Sequence, residues 1–440
     1  MPSVLLRGGM VLTMNDARDV VIGDVSIRDG RIAAIGRVGD QPHDTTIDAS
    51  GAMVLPGFVQ THLHLCQTLF RGFADDLALI DWLRQRIWPM EAAHTAGSLR
   101  ASARLAVCEL LSTGTTTALT METVHDTDVV FDEVSRSGLR ATIGKCMMDA
   151  DAQVPKRLME GTQASIDESL ALQRRWQGQA DGRIRAAFAP RFALSCSRGL
   201  LEAVASLSSS HGVLVHTHAS EQQAEIALVE HLTGRRNIEY FDDIGLTSHR
   251  LCLAHCVWVN DRERALLAEH DVKVLHCPGS NFKLGSGMAP VPELRRMGVC
   301  VSLGADGAAC NNRLDMFEEM RLAAVMQAVR LGPGALPARD VVWMATRGGA
   351  RALGLDAQIG SIEVGKRADV IVVDTTQPHT APGPDPYSTL TYASRGTDVR
   401  HTLVDGEILV RDFRPTRYDP VQIAADARRE AQALAVRAGI

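Results

Sequence analysis

Residues 57–73 read GFVQTHLHLCQTLFRGF, in which an apolar run ends in two histidines, His62 and His64, separated by a single leucine. Side chains alternate across a β-strand, so residues two apart share one face. The segment is therefore predicted to be a strand that presents two imidazoles side by side at its end. This short pattern fits either half of a metal site or a hydrogen-bonded pair of structural histidines.

Seven further segments repeat the arrangement of a short apolar or β-branched run, a polar residue at its end and a helical stretch. They read GTTTALT, RATIGKCMMD, RIRAAFAP, VLVHTHAS, RLCLAHC, VKVLHCP and VCVSLGADG. Segments between them, such as SLRASARLAVCELLSTG (98–114), have the periodicity of amphipathic helices. Eight β/α units predict an α/β protein built on a closed (β/α)₈ TIM barrel, with its chemistry at the C-terminal ends of the strands.

The two ends of the chain have a different pattern. Residues 1–55, and those from 360 onward, contain short alternating segments separated by Gly and Asp turns, which are typical of antiparallel strands. We predict one small β-sandwich built from residues 1–55 and 360–440, ending in an amphipathic helix. The barrel is predicted to span residues 56–359.

The composition favours a small-molecule partner. The 440 residues include 46 basic and 52 acidic side chains, a net charge of -6, with no basic cluster suited to nucleic acid or an anionic membrane. The N-terminus lacks a signal-peptide pattern, and no apolar run approaches the roughly 20 residues of a membrane span. Nine cysteines without a C-x-x-C pair indicate reduced thiols. We expect a cytoplasmic protein, and large apolar barrels of this type often form homo-oligomers.

Further polar residues stand at the ends of later strands. Strand five offers His216 and His218 on one face and Glu221 three residues beyond, strand six ends in His255, and strand eight ends in Asp306. Because the ends of barrel strands converge, these side chains are expected to meet His62 and His64 at one rim. Imidazoles and a carboxylate match the ligand preference of Zn²⁺, with iron or manganese as alternatives.

The chain resembles the amidohydrolase superfamily, and within it the mononuclear deaminase branch. That branch includes S-adenosylhomocysteine/methylthioadenosine/5′-deoxyadenosine deaminases, guanine deaminases and s-triazine hydrolases. The resemblance covers essentially the whole chain and is carried by PGFVQTHLH, HASE, LAHC, HCPGSNFKLGSGMAPV, LGADGAACNN, MATRGGARALGL and IGSIEVGKRADVIVVD. It implies that the metal ligands are His62, His64, His218 and Asp306. By the same resemblance, Glu221 and His255 lie beside the attacking water.

Hydrolytic deamination requires the same residue types. One divalent metal ion, with Zn²⁺ preferred, lowers the pKa of a bound water to about 7 and so supplies hydroxide. Glu221 is predicted to protonate the ring nitrogen beside the attacked carbon, and Asp306 to pass a proton to the leaving ammonia. His255 would polarise the water and stabilise the tetrahedral oxygen. Glu221 could instead only orient a ligand histidine.

Two other function classes fit the sequence less well. Family members that open cyclic amides use a carboxylated lysine at the end of strand four to bridge two metals, whereas this strand ends FAPRFALSC with Arg191. Hydrolysis of an exocyclic C–N bond at one metal is therefore favoured. A relative that has lost its ligands and serves as an interaction protein is excluded by the intact ligand set.

The loop after strand one suggests a nucleoside pocket. Trp82 and Glu91 lie nine residues apart on a predicted helical cap. The resemblance to adenosine-type deaminases implies that Glu91 holds the ribose hydroxyls and that Trp82 lines the purine pocket. Guanine deaminases share this spacing, and a packed tryptophan with a solvated glutamate would also explain it.

Strand four points to a different base. Gln67, Arg191 and Phe192 resemble guanine deaminases, in which such residues contact the base, although Arg191 could instead pair with an acid to brace the barrel rim. Strand eight resembles the adenosine type, except that Ala305 replaces the usual threonine. We predict an adenine nucleoside such as 5′-deoxyadenosine, S-adenosylhomocysteine or methylthioadenosine as substrate. Guanine or 8-oxoguanine is the first alternative and an s-triazine the second.

Overall fold

A computed structural model describes residues 2–39, 41–150 and 154–440. Its strands fall into two sheets, one from the ends of the chain and one from the middle. In chain order the strands are β1 (Val4–Leu12), β2 (Val20–Arg28), β3 (Arg31–Gly36), β4 (Thr45–Asp48), β5 (Ala52–Pro56), β6 (Phe58–His64), β7 (Thr115–Met121), β8 (Arg140–Met147), β9 (Ile184–Pro190), β10 (Val215–Ala219), β11 (Leu251–His255), β12 (Lys273–His276), β13 (Val301–Leu303), β14 (Asp306–Gly307), β15 (Val370–Asp374), β16 (Val399–Val404), β17 (Glu407–Arg411) and β18 (Arg414–Pro415).

Strands β6 to β14 form the barrel. Each of β6 to β12 pairs in parallel with the next strand along the chain. The sheet closes where β14 pairs with β6, so that Asp306 lies opposite Leu63 and Gly307 opposite His64. Strands β13 and β14 are thus two short parts of the eighth barrel strand. The predicted (β/α)₈ barrel is confirmed.

Helices cover the outside and the rim of the barrel. The longer ones span Ala96–Ser112, Thr127–Ser137, Thr162–Trp176, Arg198–His211, Gln223–Thr233, Asn237–Asp243, Asp261–Glu269, Met316–Leu331 and Pro420–Ala438. Shorter helical segments span Leu65–Phe70, Leu79–Trp82, Leu83–Ile87, Trp88–Ala92, Pro278–Lys283, Val291–Arg296, Ala338–Trp343, Met344–Gly348 and Gly349–Ala352. None of the helices among the described residues is long and apolar enough to cross a membrane.

Local sequence explains where these helices begin and end. Helix Ala96–Ser112 starts at Thr95, whose side chain accepts a hydrogen bond from the Ser98 amide, and it is followed by Gly114 at φ 89°. Such an N-terminal cap satisfies a backbone amide that the helix leaves unpaired, and glycine tolerates the left-handed conformation that follows a helix. The observed helix therefore begins and ends only two residues before the range 98–114 predicted from the sequence.

The strands from both ends of the chain pair in one sheet, ordered β18-β17-β16-β15-β5-β1-β2-β3, with β4 beside β1. Strand β15 is the join, because it pairs antiparallel with β5 from the N-terminal part and with β16 from the C-terminal part. Buried aliphatic side chains such as Leu6, Val54 and Val372 fill its core. The final helix, Pro420–Ala438, packs back onto helix Ala96–Ser112.

A buried ion cluster links this sheet to the barrel. At the start of β8, Arg140 donates to Asp369 at 2.8 Å and to Asp405 at 2.7 Å, and all three side chains are only 2% exposed. Burial opposes the charge on the guanidinium, but the two carboxylates outweigh it and raise the pKa of Arg140. The cluster therefore stays ionised although its side chains are buried.

Replacing Arg140 with methionine should lower the free energy of unfolding by about 3–5 kcal/mol, because it leaves the buried carboxylate of Asp369 without its cation, while Asp405 keeps its contact with Arg367 at 2.9 Å. Chemical denaturation of both proteins measures this difference. Arg136→Ala is a matched control: Arg136 pairs with Asp132 at 3.0 Å but is 70% exposed, so its loss should cost less than about 1 kcal/mol. Equal, small effects of both substitutions would contradict a stabilising role for the buried cluster.

Candidate functional site

The predicted metal ligands meet at the C-terminal end of the barrel. Asp306 Oδ1 lies 3.2 Å from the Nε2 atoms of both His62 and His64. His218 Nε2 lies 3.3 Å from His64 Nε2. These four residues come from β6, β10 and β14, so the folding of the barrel, and not proximity in sequence, places them together.

Hydrogen bonds orient each imidazole toward the same point. His64 Nδ1 lies 2.8 Å from the carbonyl of Met121, and His218 Nδ1 lies 2.7 Å from the carbonyl of Arg191. Since a carbonyl only accepts, each Nδ1 carries the proton and each Nε2 keeps its lone pair for another partner. His62 Nδ1 contacts His216 Nε2 at 2.7 Å, while its buried Nε2, although 3.2 Å from Asp306 Oδ1, makes no hydrogen bond of suitable geometry among the described residues.

This donor set fits a single divalent metal ion. A tetrahedral Zn²⁺ with ligands about 2.0–2.1 Å away would place neighbouring donor atoms about 3.3 Å apart, close to the observed 3.2 and 3.3 Å. Burial lowers the pKa of His62 to about 4 and also lowers that of His218, so both imidazoles are neutral at pH 7, as metal ligands must be. A metal ion would also give His62 Nε2 a partner, since this atom makes no hydrogen bond among the described residues.

Glu221 and His255 lie next to this cluster. His255 Nε2 is 3.6 Å from Glu221 Oε2 and 3.9 Å from Asp306 Oδ2. Burial raises the pKa of Glu221 to about 7, and Ser286 donates a hydrogen bond to its Oε1 at 3.1 Å. Burial alone would lower the pKa of His255, but the carboxylates of Glu221 and Asp306 outweigh it and raise this pKa. A carboxyl that titrates near neutral pH can both take up and release a proton.

Two residues of this cluster have an unfavourable backbone conformation. His255 and Asp306 adopt φ values of 72° and 63°, in the left-handed region that non-glycine residues rarely occupy. Such strain persists only where the surrounding structure fixes it, and it is common at functional sites. Gly304 explains how the closing strand reaches its position, because a Cβ atom there would lie 2.7 Å from the His62 amide nitrogen.

Three residues that support the site were not identified from sequence. Asn281 Oδ1 lies 2.9 Å from His255 Nδ1, which fixes the orientation of that ring. Asn311 donates to the carbonyl of Ala305, the residue before Asp306, and to Glu319 Oε1, both at 2.7 Å. Glu319 also accepts from the Gly279 amide at 3.0 Å. The only signal in the sequence was the polar character of the segments that follow strands seven and eight.

Glu319 should make stability depend on pH. Burial raises its pKa to about 8 from 4.5, so the folded protein binds more protons than the unfolded chain between these values. This contribution to stability is present below pH 4.5 and is lost as pH rises to about 8, at up to about 1.4 kcal/mol per pH unit. Denaturation at pH 5.5, 7 and 8.5 should show a flatter profile for Glu319→Gln. Glu318→Gln, a neighbouring control, should keep the wild-type slope; identical profiles for all three proteins would contradict the prediction.

The predicted substrate residues surround an adjoining pocket. It has a volume of about 450 Å³ and is lined by Gln67, Trp82, Arg191 and Phe192 together with five residues of the cluster described above: His64, His218, Glu221, His255 and Asp306. Glu91 lies directly behind, where it accepts hydrogen bonds from Gln67 at 2.9 Å and from Arg191 at 2.6 Å. The indole N–H of Trp82 and Oε1 of Gln67 are buried and lack partners among the described residues.

The structure distinguishes between the alternative interpretations of Glu91 and of Arg191 that the sequence left open. Glu91 is 3% exposed, so it is not a solvated residue on the surface of the cap. Arg191 pairs with an acidic residue, as in the alternative in which it braces the barrel rim. This acidic residue is Glu91. No lysine lies among the residues that line the pocket. Lys145, on β8, pairs instead with Glu160 at 2.5 Å.

Comparison with known proteins agrees with this geometry. The model of the amidohydrolase family matches residues 53–409. A 5′-deoxyadenosine deaminase of Methanosarcina acetivorans is 40% identical over 100% of both chains. A 5-methylthioadenosine/S-adenosylhomocysteine deaminase of Halobacterium salinarum is 42% identical over 99% of this chain and 98% of its own. The crystal structure of an adenosine deaminase from Xanthomonas campestris with bound zinc superposes with a TM-score of 0.92, at 33% identity over 98% of each chain.

Proposed function

Because the chain belongs to the amidohydrolase family, we propose that it is a metal-dependent hydrolytic deaminase of an adenine nucleoside. The products are the oxo compound and ammonia. The single observation that carries this proposal is the cluster of His62, His64, His218 and Asp306, with Glu221 and His255 at its edge.

The cofactor is one divalent metal ion, with Zn²⁺ preferred. His62, His64 and His218 would hold it through their Nε2 atoms and Asp306 through a carboxylate oxygen. When bound, the metal supplies hydroxide at neutral pH by lowering the pKa of water to about 7. The absence of a lysine among the pocket residues supports one metal over two.

The remaining steps are proton transfers by this chain's own residues. Glu221, whose pKa lies near 7, delivers a proton to the ring nitrogen beside the reacting carbon and makes that carbon electrophilic. Asp306 takes a proton from the attacking water and passes it to the leaving ammonia. His255, held by Asn281, stabilises the oxygen that develops negative charge.

The pocket supports a nucleoside as substrate. We assign the purine to the space between Trp82 and Phe192. The ribose hydroxyls would reach the carboxylate of Glu91, which lies directly behind Gln67 and Arg191. Gln67 and Arg191 hold Glu91 in place, so Arg191 acts on the substrate through Glu91. Guanine or 8-oxoguanine remains the second candidate, because the guanidinium of Arg191 would suit a ring carbonyl if it left Glu91. An s-triazine is the third.

Ammonia release from the purified enzyme tests the proposal. The panel contains 5′-deoxyadenosine, methylthioadenosine, S-adenosylhomocysteine, adenosine, guanine, 8-oxoguanine and an amino-s-triazine. We expect turnover of the adenine nucleosides. Exclusive turnover of guanine or 8-oxoguanine would reassign Gln67, Arg191 and Phe192 to the base, and no turnover of any compound would overturn the function.

We further propose a cytoplasmic homo-oligomer. Nine buried free thiols support a reducing compartment. Helix Met316–Leu331 exposes Val325, Val329 and Leu331 by 41, 73 and 50%, and apolar surface of this kind is common where subunits meet. Sedimentation measurements test the oligomeric state.

A further inference from the structure

A buried histidine outside the catalytic cluster lies at the end of the cap over the pocket. His94 is 3% exposed and follows Glu91 by three residues, just after the short helix Trp88–Ala92. The His94 amide donates to the Glu91 carbonyl at 3.2 Å. No step of the proposed mechanism uses this imidazole, so another role must explain why a polar ring is buried here.

The ring of His94 connects the two segments that carry Gln67 and Glu91. Its Nε2 lies 2.9 Å from the carbonyl of Cys66, the residue before Gln67. Because a carbonyl only accepts, Nε2 carries the proton. Burial lowers the pKa of His94 to about 4, so the ring is neutral at pH 7 and Nδ1 accepts from the Ser98 hydroxyl at 2.9 Å. Both ring nitrogens thus have partners, which fix the orientation of the ring.

Two arginines from distant parts of the chain bind the backbone at the same place. Arg437, on the final helix, donates from Nε to the Ala93 carbonyl at 3.1 Å. Arg157, in the segment after β8, donates from Nη2 to the His94 carbonyl at 2.9 Å. Carbonyls at the C-terminal end of a helix lack partners within it and carry partial negative charge, so guanidinium groups stabilise them. We call three residues the cap anchor: His94, Arg157 and Arg437.

We propose that the cap anchor positions the carboxylate of Glu91 against the ribose hydroxyls of the nucleoside. This assignment rests on the proposed deaminase function and on Glu91 as the ribose ligand. Gln67 and Arg191 contact the carboxylate directly, whereas the cap anchor fixes the backbone that carries it. The cap anchor is not among the described residues that line the catalytic pocket, so its members are positioning residues that act through Glu91. The final helix then contributes to substrate binding without touching the substrate.

The test compares 5′-deoxyadenosine with 2′,3′,5′-trideoxyadenosine, which lacks both ribose hydroxyls. In the wild-type protein, kcat/KM for the first should exceed that for the second at least about tenfold, as expected for hydrogen bonds to a charged carboxylate. In His94→Leu this ratio should fall at least about fivefold, because the carboxylate is no longer held in register with the hydroxyls. KM for 5′-deoxyadenosine should rise while kcat changes less than about twofold. A smaller folded fraction affects both substrates equally and leaves the ratio unchanged.

Two further variants keep the test decisive if His94→Leu does not fold. The amide of His94→Gln can still donate to the Cys66 carbonyl, so this variant should retain at least about half of the wild-type ratio. Arg437→Gln, at an exposed residue, should lower the ratio about twofold to threefold, as expected for the loss of one hydrogen bond. Arg429→Gln is the matched control and should keep the wild-type ratio, because Arg429 lies on the same helix but pairs with Asp426.

The outcomes separate the cap anchor from the function. If the wild-type protein deaminates both nucleosides equally well, Glu91 does not bind the ribose and the assignment is wrong, while the deaminase function stands. If the wild-type protein prefers 5′-deoxyadenosine but His94→Leu and Arg437→Gln keep its ratio, the positioning role is wrong. If Arg429→Gln lowers the ratio as much as Arg437→Gln does, the effect comes from general charge and the assignment is also wrong. If neither nucleoside releases ammonia, the proposed function fails and the positioning role fails with it.

Discussion

His64→Ala should lose the bound metal and slow deamination at least about a thousandfold. His64 Nε2 lies close to both Asp306 and His218, so its removal takes away a donor atom that neighbours two of the other proposed ligands. Without the metal, hydroxide must come from water whose pKa is far above 7, which costs several kcal/mol in the barrier. Metal content by elemental analysis and initial rates of ammonia release measure the two effects.

The control for this substitution is His211→Ala. His211 is exposed at the C-terminal end of helix Arg198–His211, just before β10 begins, and so lies toward the end of the barrel opposite the metal-ligand cluster. Its loss should change neither metal content nor rate. Full activity in His64→Ala, or active wild-type protein that contains no metal, would rule out the proposed mechanism.

Glu221→Gln should lower kcat by about 10²–10⁴ while the metal content stays near the wild-type value. The amide keeps the shape of the side chain and its contact with Ser286 but cannot exchange the proton that a carboxyl with a pKa of about 7 transfers. Single-turnover rates together with metal analysis separate this effect from a loss of ligands. Glu202→Gln, on the exposed face of a barrel helix, is the control.

Unchanged turnover in Glu221→Gln would reduce Glu221 to a residue that only orients its neighbours. Loss of metal in that variant would have a different meaning, because it would place Glu221 among the ligands. Either result would require another residue to supply the proton, and His255 is the nearest candidate at 3.6 Å.

The barrel and the meeting of the histidines with Asp306 at its rim could be predicted because they depend on local patterns. Each barrel strand is a short apolar run, and a side chain at the end of such a run must lie near the ends of its neighbours. His62, His218 and Asp306 could therefore be grouped although 244 positions separate the first from the last. Helix bounds were also accessible, since caps such as Thr95 act over one turn.

The supporting contacts could not be predicted, because they join distant segments through single side chains. Asn281 meets His255, and Glu319 meets Gly279, without a periodicity or spacing that marks either pair. Arg191 is similar: its type allowed a contact with the base or a pairing with an acid, and only the three-dimensional structure shows that Glu91, 100 residues away in sequence, is its partner. Charge and residue type leave such choices open until distances are known.

The pairing of β14 with β6 has a consequence for how the protein matures. His62 and His64 stand on the first barrel strand and Asp306 on the last, directly across the seam. A metal ion held by all three would link the first barrel strand to the last and so stabilise the closed barrel. During synthesis the early histidines emerge long before their carboxylate partner, so a growing chain has only part of a binding site. Loading of the metal would thus be coupled to completion of the barrel, and a truncated or misassembled chain would lack part of the proposed ligand set.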